Sequence, residues 1–243
     1  MGPSLSRVLL DQVANGQRPA TIRLSRPGRV VAFGRRDVVS PGYRAAIGAA
    51  TGAGFPGMER LAGGRAAAFT EGALSLTFTV PDARPAERTD QRFSEFTSLV
   101  RDAFADLGAD ARIGAVPGEY CPGDYSVNGG GRIKLAGVGQ RMIRGGAHVG
   151  FVILVSGSGM VADLLAPVYE ALGLEFDRGT VGSLEDEVPG VGTEDVESAL
   201  LRRIALTGEV ESILLDDPTL DLAASRAGNF RSPPPASQPQ PLG

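Results

Sequence analysis

Two hydrophobic periods alternate along the chain. Residues 4–14, carrying Leu5, Val8, Leu9 and Leu10, read as a short helix. Thr21-Ile22-Arg23-Leu24 and Val30-Val31-Ala32-Phe33 read as strands joined by a Pro27-Gly28 turn. Pro41 to Ala53 can form a helix, with Ser40 as its N-cap. Leu74, Leu76, Phe78 and Val80 alternate with polar residues over 73–80, the period of a half-buried strand whose apolar side can wall a pocket. Phe93, Phe96, Val100, Phe104 and Leu107 recur at helical spacing and predict the longest helix over 90–107, with core aromatics and Gly108 as its stop.

A second strand-rich block covers Tyr125 to Val127, Arg132 to Met142 and Ala147 to Val155, with Asn128-Gly129-Gly130-Gly131 as a hairpin turn. Helices are expected at 160–172, 193–206 and 208–215. From Ala224 onward Ser, Gln and Pro dominate, so 224–243 reads as a disordered tail behind one domain over 1–223. The order of elements predicts an α+β fold: a mixed, mostly antiparallel sheet flanked by helices.

At 243 residues and 42% hydrophobic, the chain is large enough to bury a core. Its net charge of −4 argues against a nucleic-acid partner. No apolar run approaches the roughly 18–20 residues of a membrane span, and no basic-then-apolar leader opens the chain. The expectation is a cytoplasmic protein with no membrane partner. One cysteine and one histidine leave no internal disulfide and no multi-histidine metal site, so no metal ligands are assigned. Lysine changes the picture more. Of 24 basic residues only Lys134 is a lysine, in a chain that otherwise uses arginine. Either it is a leftover surface residue, or it holds a position where a compact ammonium serves and a planar guanidinium does not.

The common phosphate-loop, dinucleotide and nucleophile-elbow motifs are missing. What remains is a cluster of residues each unique of its type: Cys121, Lys134 and His148. Paired strands bring such residues within reach of one sheet face. Gly137 and Gly139, beyond the lysine, either admit a ligand to the backbone or mark a tight sheet corner. Cys121, between Tyr120 and Pro122, is a nucleophile or a small buried residue.

The stretch Gly131-Arg132-Ile133-Lys134-Leu135-Ala136-Gly137-Val138-Gly139-Gln140 resembles the lysine strand of the lipoate–protein ligase A family, in the biotin/lipoate protein ligase superfamily, with one extra residue before the lysine. Arg60-Leu61-Ala62-Gly63-Gly64-Arg65-Ala66 is similar to that family's glycine loop, and His148-Val149-Gly150 to its His-Gly pair. Val31-Ala32-Phe33-Gly34-Arg35 fits its strand-Gly-Arg segment. The resemblance runs from about Thr21 to Leu184. The chain departs from the pattern at Leu61, Arg65 and Phe69-Thr70.

The resemblance implies a ligase-like catalytic domain over 1–223 that attaches lipoate or octanoate to a lysine of a carrier domain, through an acyl-adenylate made from ATP and Mg2+. The implied carriers are the lipoyl domain of a 2-oxoacid dehydrogenase E2 or the glycine-cleavage H protein, and the accessory domain of longer ligases is either dispensed with or supplied by a separate accessory subunit. Lys134 would then meet the acyl carbonyl and the nucleotide, Asp124 would lie by nucleotide or metal, and Gly63, Gly64 and Gly137 would border the acyl pocket. Arg60 and Arg65 would face phosphate, unless they are rim charges. His148 would form the pocket floor, unless it is a satisfied core histidine. A transferase on the same fold offers an alternative, with Cys121 as nucleophile 13 residues before Lys134. A non-catalytic binding paralogue is a third reading.

Overall fold

In a computed structural model, which describes residues 2–235, the strands are β1 (Thr21–Ser25), β2 (Val30–Phe33), β3 (Gly57–Glu59), β4 (Ala67–Phe69), β5 (Ala73–Asp82), β6 (Ala111–Ile113), β7 (Val127–Gly129), β8 (Ile133–Ile143) and β9 (Gly145–Leu154). The helices are α1 (Gly2–Ala14), α2 (Arg35–Val38), α3 (Tyr43–Gly52), α4 (Thr89–Asp106), α5 (Ser158–Ala171), α6 (Leu184–Glu187), α7 (Thr193–Ala205) and α8 (Asp217–Ser225). Six strands form a sheet in the order β1-β5-β9-β8-β7-β6, with every neighbouring pair antiparallel. A small sheet has the order β3-β2-β4, in which β2 and β3 run parallel. The expected α+β class, a mostly antiparallel sheet flanked by helices, is what forms.

Two cores separate the faces of the large sheet. Leu74, Leu76 and Phe78 of β5 and Val149, Phe151 and Ile153 of β9 pack with α4 and α7. Phe96 of α4 stacks on Phe78 at 4.3 Å between ring centroids, and Phe93 stacks on Tyr125 at 4.9 Å. The small sheet, α3 and α5 form the second core. The alternation over 73–80 therefore predicts the strand correctly, but its apolar face is spent on α4. The opposite face of β5 turns Ser75 and Thr77 toward a cavity, so the expectation of a greasy β5 wall is overturned.

Three other expectations change. The β7–β8 turn is Gly130-Gly131-Arg132, one step later than the pattern suggests. Gly130 and Gly131 have φ of 57° and 75°, the left-handed pair a tight hairpin requires. The helix expected at 208–215 is absent. That segment is extended and exposed, with Leu214 at 97%, and the helix forms instead at Asp217–Ser225. Asp216 caps it by accepting from the Thr219 N–H, and Pro218 sits in its first turn, where a missing N–H costs nothing. The tail expected from Ala224 is ordered as far as Pro235. Arg226 pairs with Asp11 at 3.0 Å, Arg231 bridges to Met58, and Ser232 Oγ lies 2.9 Å from the Tyr43 hydroxyl. Polar contacts tie this segment down where its own apolar content could not. Residues 236–243 of the expected tail lie outside the described residues.

Candidate active site

The loop between β6 and β7 is built around Glu119, whose carboxylate accepts from the Val116 N–H (3.0 Å), the Gly123 N–H (3.1 Å) and Ser126 Oγ (2.6 Å). Its remaining partner is Lys134 Nζ at 3.0 Å, in an ion pair whose side chains are 0% and 1% exposed. Nζ also donates to the carbonyls of Tyr120 (3.0 Å) and Cys121 (2.7 Å), and lies 4.9 Å from the centroid of the Tyr120 ring. An ammonium has three donors. All three are used. Lys134 thus occupies a site that a planar guanidinium would not fit, but its amine is not free to meet an acyl oxygen.

This network holds Cys121 in a left-handed conformation, φ 44°, the only non-glycine residue with positive φ among the described residues. Such a conformation costs on the order of 1–3 kcal/mol and persists only where the surroundings fix it. Here the Cys121 N–H donates to the Tyr169 hydroxyl (2.8 Å), which in turn donates to the Ala66 carbonyl (2.9 Å). The thiol lies against the glycine loop. Sγ accepts from the Arg65 N–H at 3.1 Å and from Arg60 Nη2 at 3.4 Å. Burial pushes the thiol pKa up, but the charges of Arg60 and Lys134 and the two donated hydrogen bonds outweigh it, so the thiol is held below its ordinary value. Alkylation of Cys121 is expected to show an inflection at lower pH than a free thiol does. In Arg60→Gln the inflection should move upward; an unchanged pH–rate curve would remove Arg60 from this role.

The glycines serve the protein's own atoms. A Cβ on Gly137 would lie 3.1 Å from Lys134 Cε, and one on Gly139 would lie 3.0 Å from the Gly63 carbonyl oxygen. Gly64, at φ 105°, leaves no room for a Cβ beside Arg60 Nη2, with Cys121 Sγ 2.9 Å away. Gly137 and Gly139 therefore clear space for the lysine and the glycine loop, and Gly137 also lines a small cleft with Cys121 and Lys134. The Arg65 side chain turns away to pair with buried Asp37 at 3.2 Å, and only its backbone N–H reaches the site. Asp124 is exposed, outside the cleft that holds Cys121 and Lys134 and outside the larger cavity beside it.

A cavity of about 500 Å3 lies between the two sheets. Val30, Ala32, Met58, Leu61 and Phe69 form its apolar side, while Arg23, Ser25, Ser75, Thr77 and His148 form its sheet side. Arg60 and Val152 border both this cavity and a small cleft, about 10 Å3, that contains Cys121 and Lys134. His148 lines this cavity and is buried, with Nδ1 3.1 Å from Thr79 Oγ1. Burial, assisted by the Arg23 charge, pushes its pKa down to about 4. The unfolded chain takes up this proton near pH 6.5 and the folded one only near pH 4. Stability is therefore full above pH 6.5 and falls as pH drops through that window, by about 3 kcal/mol from this group. Denaturant titrations from pH 7 to 4 should show that loss, and His148→Asn should flatten it.

The Lipoyl protein ligase A/B catalytic domain matches residues 3–205. The chain belongs to this family. An octanoyl-[GcvH]:protein N-octanoyltransferase from Geobacillus kaustophilus is 31% identical over 189 residues, 77% of this chain and 66% of that relative, so the chain spans just under two-thirds of its length. A Thermoplasma acidophilum protein solved with bound lipoic acid has a TM-score of 0.70 at 18% identity, covering 93% of this chain and 90% of that one. A lipoate-protein ligase A bound with ATP has a TM-score of 0.69 at 18% identity, with the same coverage. These two likenesses are of fold. Within the family's architecture the chain brings Cys121, Lys134, Arg60, Gly64 and the Arg65 backbone together, and sets His148 apart across the cavity. Sequence reasoning missed Glu119, Tyr169 and Arg23. A lone lysine buried in an apolar strand needs a carboxylate, and Glu119 is the acid nearest Cys121 on its N-terminal side.

Proposed function

We propose that the chain transfers an octanoyl or lipoyl group between carrier lysines through a thioester on Cys121. The observation that carries this reading is the thiol itself, held below its ordinary pKa between Arg60 and the Arg65 N–H in a small cleft that shares Arg60 and Val152 with the cavity of about 500 Å3. The name of the Geobacillus relative, an octanoyl-[GcvH]:protein N-octanoyltransferase, supports it.

In the first half-reaction the Cys121 thiolate attacks the carbonyl carbon of the donor's octanoyl-lysine amide. The C–N bond breaks, and the leaving nitrogen takes a proton from solvent to depart as the amine. The Arg60 guanidinium and the Arg65 N–H, released from the thiolate as its charge moves to oxygen, stabilise the tetrahedral oxyanion. In the second half-reaction an acceptor lysine amine attacks the thioester, loses its proton, and the C–S bond breaks to restore the thiolate. Lys134 and Glu119 act as positioning residues, holding the strained Cys121 backbone and supplying positive potential.

The residues assigned to a nucleotide do not fit one. Lys134 has no donor left, Asp124 lies outside the cavities, and the Arg65 guanidinium is bound to Asp37. The decisive test offers two mixtures in parallel: octanoylated GcvH with an acceptor carrier and no nucleotide, and free octanoate with ATP, Mg2+ and the same acceptor. Octanoylation of the acceptor is expected in the first. Product in the second alone, with AMP release, would overturn the transferase reading.

A further inference from the structure

Acyl transfer needs the Cys121 sulfur and the Arg65 N–H in register at 3.1 Å, yet the two residues lie 56 positions apart in the chain. Cys121 is pinned at both ends of its backbone. Lys134 Nζ holds its carbonyl at 2.7 Å, and the Tyr169 hydroxyl accepts its N–H at 2.8 Å. The second contact fixes the direction of the N–H bond, and with it the φ of 44° that a side chain resists. The glycine loop is pinned beside it. Arg60 Nη2 donates to the Arg65 carbonyl at 2.5 Å, buried Asp37 holds the Arg65 guanidinium at 3.2 Å, and the Tyr169 hydroxyl donates to the Ala66 carbonyl at 2.9 Å. One oxygen atom of Tyr169 thus joins the backbone of the nucleophile to the residue next to the oxyanion donor.

Tyr169 reaches this point from α5 and is buried. Its ring meets Phe176 edge-on at 5.0 Å between centroids, and Phe176 meets Tyr120 at 6.3 Å, so the hydroxyl is aimed by packing on both sides of the loop. Burial, with the Cys121 charge beside it, pushes the phenol pKa well above its ordinary value. The proton therefore stays on the oxygen, and Tyr169 is no acid or base for the reaction. What it supplies is placement. A phenylalanine in its stead would keep the ring and deprive two backbone groups of this partner, the Cys121 N–H and the Ala66 carbonyl.

We propose that Tyr169 is a positioning residue for acyl transfer, which sets the distance between the Cys121 sulfur and the Arg65 N–H through its two hydrogen bonds. The inference rests on the acyl-transfer reading and adds to it a tether that acts on nucleophile and oxyanion donor together. Lys134 and Glu119 hold only the cysteine side. Arg60 also spans both loops, but its Nη2 touches the sulfur itself. Without the Tyr169 tether the left-handed Cys121 relaxes, the sulfur moves off the Arg65 N–H, and the tetrahedral oxyanion loses an aligned donor. Tyr169 is buried, so the surface that a carrier meets is unchanged.

Tyr169→Phe separates placement from stability. Transfer from octanoylated GcvH is expected to lose about a hundredfold in kcat, the cost of a misplacement on the ångström scale, with KM unchanged. The alkylation inflection of Cys121 should rise in the same variant, because the thiolate loses the Arg65 N–H. Phe96→Leu, which loosens the stack on Phe78 in the other core, should lower the melting temperature and leave both readouts in place. The single cysteine allows a further measurement on the parent chain, since isotope-labelled cysteine gives one amide resonance. That amide should be protected from hydrogen exchange; free exchange would overturn the proposal however the variant folds. So would a kcat or an inflection that does not move in Tyr169→Phe, or a loss that Phe96→Leu reproduces. An inflection that rises in a chain forming no acyl adduct on Cys121 sinks only the transferase reading. An adduct that forms in Tyr169→Phe at the parent rate sinks only the tether.

Discussion

Cys121→Ser is expected to lower acyl transfer by at least about a thousandfold while leaving the fold and the cavity intact. A serine hydroxyl is of similar size, so the left-handed backbone, the Tyr169 hydrogen bond and the Lys134 contact to its carbonyl can persist. What is lost is the ionisable nucleophile. Arg60 and Lys134 favour a thiolate at this position, and the same field cannot ionise an alcohol near neutral pH. The readout is single-turnover transfer from octanoylated GcvH, with circular dichroism to verify folding. Transfer retained within tenfold would show that the acyl group does not pass through this side chain.

Lys134→Met is expected to cost both stability and activity. Its ammonium is 1% exposed and answers three acceptors, so its removal strands the Glu119 carboxylate and two carbonyls in the interior. Breaking a buried pair from one side costs about 3–5 kcal/mol. The double variant Lys134→Met, Glu119→Gln should recover part of that loss, because the stranded charge is gone. Activity should not return with it, since the Cys121 loop loses the amine that fixes its carbonyl. Denaturant midpoints for the two single variants and the double close the cycle. Additive losses would mean that the pair is not coupled.

Much of the fold was legible because period reports element type. The helix over 90–107 and the strand over 73–80 both form close to their expected limits. Period does not report which side of a strand meets which neighbour. On β5 both faces are largely buried, and only the tertiary arrangement assigns the apolar one to α4 and the hydroxyl-bearing one to the cavity. The helix expected at 208–215 failed for a related reason. Of its apolar residues Leu215 packs against Leu5, Val8, Leu9 and Ala223 while Val210, Ile213 and Leu214 stay exposed, and Asp216 with Pro218 nucleates the next turn instead.

At the site, the unusual residues were visible by scarcity. Cys121 and Lys134 do share one cleft, and His148 does border the neighbouring cavity. Their roles were not visible, because a role depends on which atoms are already engaged. Lys134 is spent on Glu119 and the loop carbonyls, Arg65 contributes a backbone N–H in place of its guanidinium, and Gly137 clears space for the lysine stem. Arg23 was hidden in a strand pattern that marks it only as polar.

The most direct measurement is the intact mass of the chain after mixing with octanoylated GcvH, without nucleotide and without acceptor. One octanoyl group should appear on the protein, localise to the peptide bearing Cys121, and leave on treatment with hydroxylamine as a thioester does. An unmodified mass under conditions where transfer to an acceptor proceeds, or an adduct on any other residue, would contradict the account.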